Sequence, residues 1–204
     1  MSWLLLILKS DMFNAMSGLT KFFICCLIVS GVTSKSNGQT LLAPPFGLQW
    51  GDTPDKILDW SADKKLNVTV KIPGASPELR IIRVESASGP LPQHQAYALE
   101  TRYHHGKLFE VTVHYGAPGI DPKRMEADFN KLKSALTLKH GILSPNNKQD
   151  KNEGGFVRKS VSYHVEPVRG LILLLVLSQL EDTVRDKHSA RFSLIYRNQN
   201  IILK

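Results

Sequence analysis

The chain has 204 residues, of which 42% are hydrophobic and 22% are charged, and its 26 Lys and Arg against 18 Asp and Glu give a formal net charge of +8. This composition is typical of a globular protein and excludes a disordered, collagen-like or multi-span membrane protein. The length predicts one domain, or two very small ones.

The first part of the chain has the pattern of an export signal. An apolar run from Phe22 to Val29 follows Lys21 and precedes small residues that end near Ser34. A core of about eight to twelve residues suits a signal peptide and is short for a membrane span. We therefore expect 1–38 to be a cleaved signal peptide, with Met16 as an alternative start, and the protein to be periplasmic or secreted. An uncleaved N-terminal anchor is the alternative.

Cleavage would remove both cysteines, because Cys25 and Cys26 lie within the apolar run. A mature chain over 39–204 would then have no disulfide, no thiol nucleophile and no cysteine-ligated metal. Such a chain depends on its own apolar core, which is feasible at roughly 165 residues. This favours a bacterial periplasmic protein over a eukaryotic secreted one.

The first half of the mature chain predicts a helix and then strands. Phe46, Leu48 and Trp50 alternate as one face of a short strand, and Thr53 with Pro54 marks the start of a helix. Alternating apolar residues and Pro/Gly turns predict the strands that follow. These strands cover 67–72, 79–85, 95–104 and 107–115.

The second half repeats this order. Asp121 and Pro122 begin an amphipathic helix that Gly141 ends. The polar stretch 144–155 predicts a mobile loop. The run 171–177 is apolar at every position, which predicts a central strand covered on both faces. Three strands are predicted here, over 156–165, 171–180 and 191–196.

Together these elements predict an α+β fold, with a mostly antiparallel sheet of about six to seven strands and two helices packed on it. We expect a single domain over 39–204. Two weakly related halves, 44–116 and 121–204, are a further possibility because each opens with a similar helix start.

The mature chain has seven histidines, and three of them suggest a metal site. His104 and His105 lie next to a predicted turn, with His114 on the returning strand. Adjacent strand residues face opposite sides, and no metal-binding motif supports the cluster, so we predict turn and surface histidines and no metal. The others are His94, His140, His164 and His188.

Two carboxylates raise the question of acid–base catalysis. Glu100 and Glu110 could lie on paired strands, but Arg102 and Lys107 are near them in the sequence, which favours a cross-strand ion pair. The chain has no nucleophile elbow, no P-loop and no dinucleotide-binding motif. We therefore predict no catalytic residue and no cofactor, and an enzyme only as an alternative.

The basic residues are spread along the chain. Nucleic-acid binding requires clustered basic residues with exposed aromatic side chains or a recognisable module, and neither is evident. Export would also separate the protein from cytoplasmic nucleic acid. A weak attraction to anionic surfaces is a further possibility.

The stretch from Phe46 to Asp59 carries the most distinctive motif. Its Phe-Gly-Leu-Gln-Trp-Gly opening resembles the start of many small exported bacterial proteins of unassigned function, as does the Gly-Lys-Leu-Phe-Glu-Val hairpin within 103–115. Some of these are similar in fold to the β-lactamase-inhibitor protein and the small outer-membrane assembly lipoproteins. The likeness covers under a fifth of the chain, and a proper lipobox is missing. It implies a helical element on an antiparallel sheet that acts by binding.

The sequence thus predicts an exported, non-catalytic binding protein whose partner is another envelope or secreted protein. Two alternatives stay open. One is a carrier of an apolar or anionic small ligand held between helix and sheet. The other is a hydrolase whose site is assembled from distant residues, with His104, His114, Glu100 or Glu110 as candidates.

Overall fold

The computed structural model describes residues 42–116 and 119–203, and these form the predicted α+β fold. The signal-peptide prediction, Met16 and both cysteines lie outside the described residues. The helices are α1 (Pro54–Asp63), α2 (Pro122–His140) and α3 (Gln199–Ile202). The strands are β1 (Asn67–Lys71), β2 (Leu79–Glu85), β3 (Ala98–His104), β4 (Lys107–Tyr115), β5 (Ser144–Glu153), β6 (Phe156–Val168), β7 (Leu171–Asp182) and β8 (Lys187–Asn198).

All eight strands join in one antiparallel sheet with the order β1-β2-β3-β4-β8-β7-β6-β5. The prediction of six to seven strands and two helices is therefore slightly wrong. A helix followed by four consecutively paired strands occurs twice, and the two sets meet where β4 pairs with β8. No helix in the described part of the chain is long and apolar enough to cross a membrane.

The strand missing from the prediction is β5, where the sequence indicates a mobile loop. Residues 144–153 instead pair with β6, and a turn at Gly154 and Gly155 completes the hairpin. All ten residues of β5 are exposed. An edge strand of this kind is held by backbone hydrogen bonds to one neighbour, so it needs no apolar alternation.

A predicted strand is also absent. Residues 46–50 form turns before α1, because Phe46 and Gly47 have φ angles of 62° and 68°, outside the extended region. The apolar side chains still enter the core region. Leu48 is buried, and the Trp50 Nε1–H donates a hydrogen bond to the Leu42 carbonyl oxygen at 2.7 Å.

The two long helices pack on the same face of the sheet, which we call the helix face. Ile57 of α1 belongs to a buried cluster with Val113 of β4, and Phe129 of α2 belongs to one with Leu194 of β8. Val113 and Leu194 are register partners, so both clusters lie on one side of the sheet.

β7 confirms the position predicted for the apolar run, since it lies between β6 and β8. Burial on both faces was also predicted, and that part is wrong. Leu171, Leu173, Leu175 and Leu177 are buried on the helix face, whereas the alternate residues are only half-buried. Neither long helix lies on the opposite face, so the described residues cover these side chains only in part.

Candidate functional site

The candidate site is the face of the sheet opposite the helix face, which we call the second face. Its side chains alternate along β2, β3, β4, β8, β7 and β6 with those of the buried clusters. The register places these residues side by side. Its central members are Arg83, Glu100, Arg102, Glu110, Thr112, His114, Ile172, Leu174, Val176, Ser178, Arg191, Ser193, Ile195 and Arg197.

Glu110 forms the charged centre of the second face. Its carboxylate is 3% exposed and accepts a hydrogen bond from the Arg197 Nε–H at 2.5 Å. Its other oxygen lies 3.3 Å from the Arg102 Nε, and Arg102 also pairs with Glu100 at 3.0 Å. A nearly buried carboxylate with two guanidinium partners is charge-compensated, and these contacts link side chains of β3, β4 and β8.

A histidine and a serine lie side by side near one end of this face. The His114 Nδ1 is 3.0 Å from the Ser193 Oγ, and its Nε2 is buried with no hydrogen-bond partner among the described residues. Burial, reinforced by the charges of Arg83 and Arg191, lowers the pKa of His114 to about 4. The ring is therefore neutral at pH 7 and a weak general base there.

These residues line a cavity of about 670 Å³ at the ends of β2, β4 and β8. Arg83 and Arg191 contribute its positive charges. Arg83 pairs with Glu85 at 2.5 Å, whereas Arg191 makes no ion pair with any carboxylate in the described ranges. The uncompensated charge in this cavity is thus positive, which favours an anionic group such as a carboxylate.

An apolar patch lies next to the charged centre. It consists of Ile172, Leu174 and Val176 from β7 and Ile195 from β8, and Leu174 and Ile195 are register partners. All four are half-buried. The outward face of an antiparallel sheet usually carries polar side chains, so this contiguous aliphatic patch is a candidate contact surface.

The structure separates the three histidines that suggest a metal site in the sequence. His104 and His105 have ring centroids 4.4 Å apart at the β3–β4 turn. His114 pairs with Ala98 at the far end of the same hairpin, about 20 Å along the strand. No group of three or more His, Cys, Asp or Glu side chains in 42–116 and 119–203 is arranged to hold a metal ion.

The two candidate carboxylates do come together, but through Arg102. Glu100 and Glu110 both contact this guanidinium. The contact of Glu110 with Arg102 is the cross-strand ion pair that the sequence favours over an acid–base pair. The remaining pair partner suggested by the sequence, Lys107, lies at the turn opposite His104. Nothing in this arrangement leaves one carboxylic acid isolated as a proton donor.

The other histidines have local roles or surface positions. The His94 Nδ1 accepts a hydrogen bond from the Ala96 N–H, and burial lowers the pKa of His94. His188 lies 3.5 Å from Asp186 near the β7–β8 turn. Burial lowers the pKa of His140 at the end of α2, and the His164 Nδ1 is buried without a described partner.

Sequence reasoning missed Arg191, Ser193 and Arg197 as site residues. They alternate along β8. Ser193 and Arg197 have partners on β4, far earlier in the chain, and Arg191 pairs with Ser178 on β7. Ile172, Leu174 and Val176 belong to the run 171–177, which is apolar at every position and therefore indicated a strand buried on both faces.

Comparison of the chain with protein-family models, with curated proteins and with solved structures found no match.

Proposed function

We propose that this protein is an exported, non-catalytic binding protein of the bacterial envelope or secreted fraction, and that its second face receives another exported protein. The observation that carries the proposal is the aliphatic patch of Ile172, Leu174, Val176 and Ile195 on a face that neither long helix covers. Burying such a patch against a partner is favourable by about 25 cal/mol per Å².

The charges next to the patch suggest the chemistry of the partner. Glu85, Glu100 and Glu110 are each paired with an arginine, whereas Arg191 is not paired with any described carboxylate. A partner surface with apolar side chains and a neighbouring Asp or Glu would complement both features. The carboxylate would enter the cavity beside Arg191, and the apolar groups would cover the patch.

The chemistry of the cavity favours binding over catalysis. The Ser193 hydroxyl is next to His114, but a histidine whose pKa is about 4 is a weak base for activating it at neutral pH. Glu100 and Glu110 are both committed to Arg102. These groups serve to shape a binding surface. They do not form a pair of nucleophile and general base that would work at pH 7.

The proposal is tested by capture from an envelope extract of the native host. We expect one protein to bind the immobilised chain in stoichiometric amount. Leu174→Asp and Arg191→Glu should each abolish this capture, because they place a charge in the patch and reverse the charge of the cavity.

The matched control is Leu138→Asp, since Leu138 is apolar and 89% exposed on α2, away from the second face. Its capture should equal that of the unchanged protein. Capture that survives both second-face variants, or that is lost equally in the control, contradicts the proposal.

A further inference from the structure

The two edges of the sheet differ in how they resist pairing with another strand. β5 contains Pro145, has a register irregularity between Pro145 and Asn147, and is rich in charged side chains along its length. Prolines, irregularities and charges are the devices that prevent edge-to-edge association. β1 at the other edge has none of them except a terminal lysine: it reads Asn-Val-Thr-Val-Lys and pairs with β2 without a register shift.

β1 also exposes apolar side chains. Val68 and Val70 are 38% and 50% exposed, although their register partners on β2, Val84 and Ile82, are completely buried. Ile72, directly after the strand, is 56% exposed. Among the described residues no further strand pairs with the free edge of β1, so the helix face ends there in an exposed stripe of β-branched side chains. Pairing with another strand would complete this pattern.

We propose that β1 pairs antiparallel with β1 of a second copy of this chain, about a twofold axis through Thr69. In this register Thr69 faces Thr69 of the second copy, and Val68 faces Val70. Asn67 faces Lys71, so no charge lies opposite a like charge. Cross-strand pairs of β-branched residues and of threonines are favourable, and the two helix faces become continuous.

Neighbouring registers are poorer. A twofold axis at Val68 would place Lys71 opposite Lys65, two like charges, and one at Val70 would place Pro73, which has no N–H, opposite Asn67. An axis between two residues would join the helix face of one copy to the second face of the other. The Thr69 register pairs all five residues of β1 and avoids each of these costs.

The size of the edge sets the strength of the contact. Five residues span about 17 Å, so the interface lies below the roughly 1,200 Å² of a stable complex. We therefore expect a weak, concentration-dependent dimer with a dissociation constant between about 1 µM and 1 mM. This contact lies at the sheet edge and is independent of the second face.

Two experiments on the protein purified after export test this register. Sedimentation should show the dimer in the unchanged protein. In V68K/V70K each lysine faces a lysine of the second copy, and the dissociation constant should rise by at least about tenfold. In V68K/V70E each lysine faces a glutamate, and the constant should stay within about threefold of the unchanged value. Circular dichroism should show that both variants fold, because positions 68 and 70 are exposed.

Disulfide formation tests the axis itself. Thr69→Cys should cross-link two copies on oxidation, because directly opposed residues have Cα atoms about 4.5–5.5 Å apart. Lys71→Cys, on the same strand and face, would be separated from its counterpart by about 13 Å and should not cross-link. Cys25 and Cys26 are replaced by serine in both variants.

Three results would overturn the proposal. The first is a monomer at every concentration up to about 1 mM. The second is an equal loss of the dimer in V68K/V70K and V68K/V70E, or cross-linking as rapid from position 71 as from position 69. The third is cross-linking from position 69 to a different host protein, which would make β1 the docking edge for a foreign strand.

Discussion

Replacing Glu110 by glutamine should destabilise the protein much more than the same change at Glu100. Both carboxylates lie on the second face and both contact Arg102. Glu110 differs in being 3% exposed and in holding the Arg197 Nε at 2.5 Å, whereas Glu100 is 19% exposed. Glu110→Gln keeps the shape of the side chain, so its effect isolates the loss of charge.

The magnitude follows from how deeply the partners are buried. Removing one member of a buried ion pair costs about 3–5 kcal/mol when the other is left buried. Here Arg102 and Arg197 are 38% and 39% exposed and regain water, so we expect a loss of about 2 kcal/mol in the free energy of unfolding. For a domain of this size that lowers Tm by about 4–8 °C. Glu100→Gln should cost less than about 1 kcal/mol.

Urea unfolding followed by tryptophan fluorescence measures both variants against the unchanged protein. The account of the charged centre is refuted if Glu110→Gln lies within about 0.5 kcal/mol of the unchanged protein, or if its loss is no larger than that of Glu100→Gln.

Three further predictions concern stability. His114 has a pKa of about 4 in the folded protein and 6.5 in the unfolded chain, so between these pH values the unfolded chain binds one more proton. The free energy of unfolding should therefore fall by up to about 3 kcal/mol as the pH drops from 6.5 to 4. His114→Gln should show a shallower decline when unfolding is measured against pH. Leu173→Ala empties a fully buried position and should cost about 3 kcal/mol in denaturant unfolding, against under about 0.5 for Leu138→Ala on the surface. Gly116 has φ +101°, and an added Cβ would lie 3.2 Å from the Ala190 carbonyl oxygen. Gly116→Ala should therefore cost about 1–3 kcal/mol in strain and lower Tm in thermal unfolding.

Much of the fold follows from local signals in the sequence. Pro54 and Pro122 are the first residues of the two long helices, and the Asp121 side chain accepts a hydrogen bond from the Lys123 N–H as expected of a cap. Thr53 occupies the predicted cap position but makes no capping hydrogen bond; its hydroxyl contacts Asp55. These signals act within one helical turn, so the helix starts can be predicted without the tertiary structure.

β5 is a strand that local sequence signals do not predict. Its side chains are exposed on both faces, so nothing in its composition distinguishes a strand from a loop. Pairing with β6 creates the strand through the backbone, and that information lies in the neighbour and not in the segment. The same limit applies to the apolar run of β7, whose sequence is the same whether one face or both are covered.

The candidate site depends on contacts between distant parts of the chain. Glu110 and Arg197 are 87 residues apart, and His114 and Ser193 are 79 apart. Both pairs exist because β4 lies next to β8, where the two sets of four strands meet. No spacing or motif in a single sequence indicates that junction, so the site could be assembled only once the strand order was known.

The central claim is that the second face receives a partner, and site-specific photo-cross-linking in the living host tests it most directly. A photoreactive side chain is placed at position 174, in the aliphatic patch, and separately at position 138, which is 89% exposed on α2. We expect one discrete cross-linked protein from position 174 and none from position 138. No product from position 174, or the same product from both positions, would contradict it.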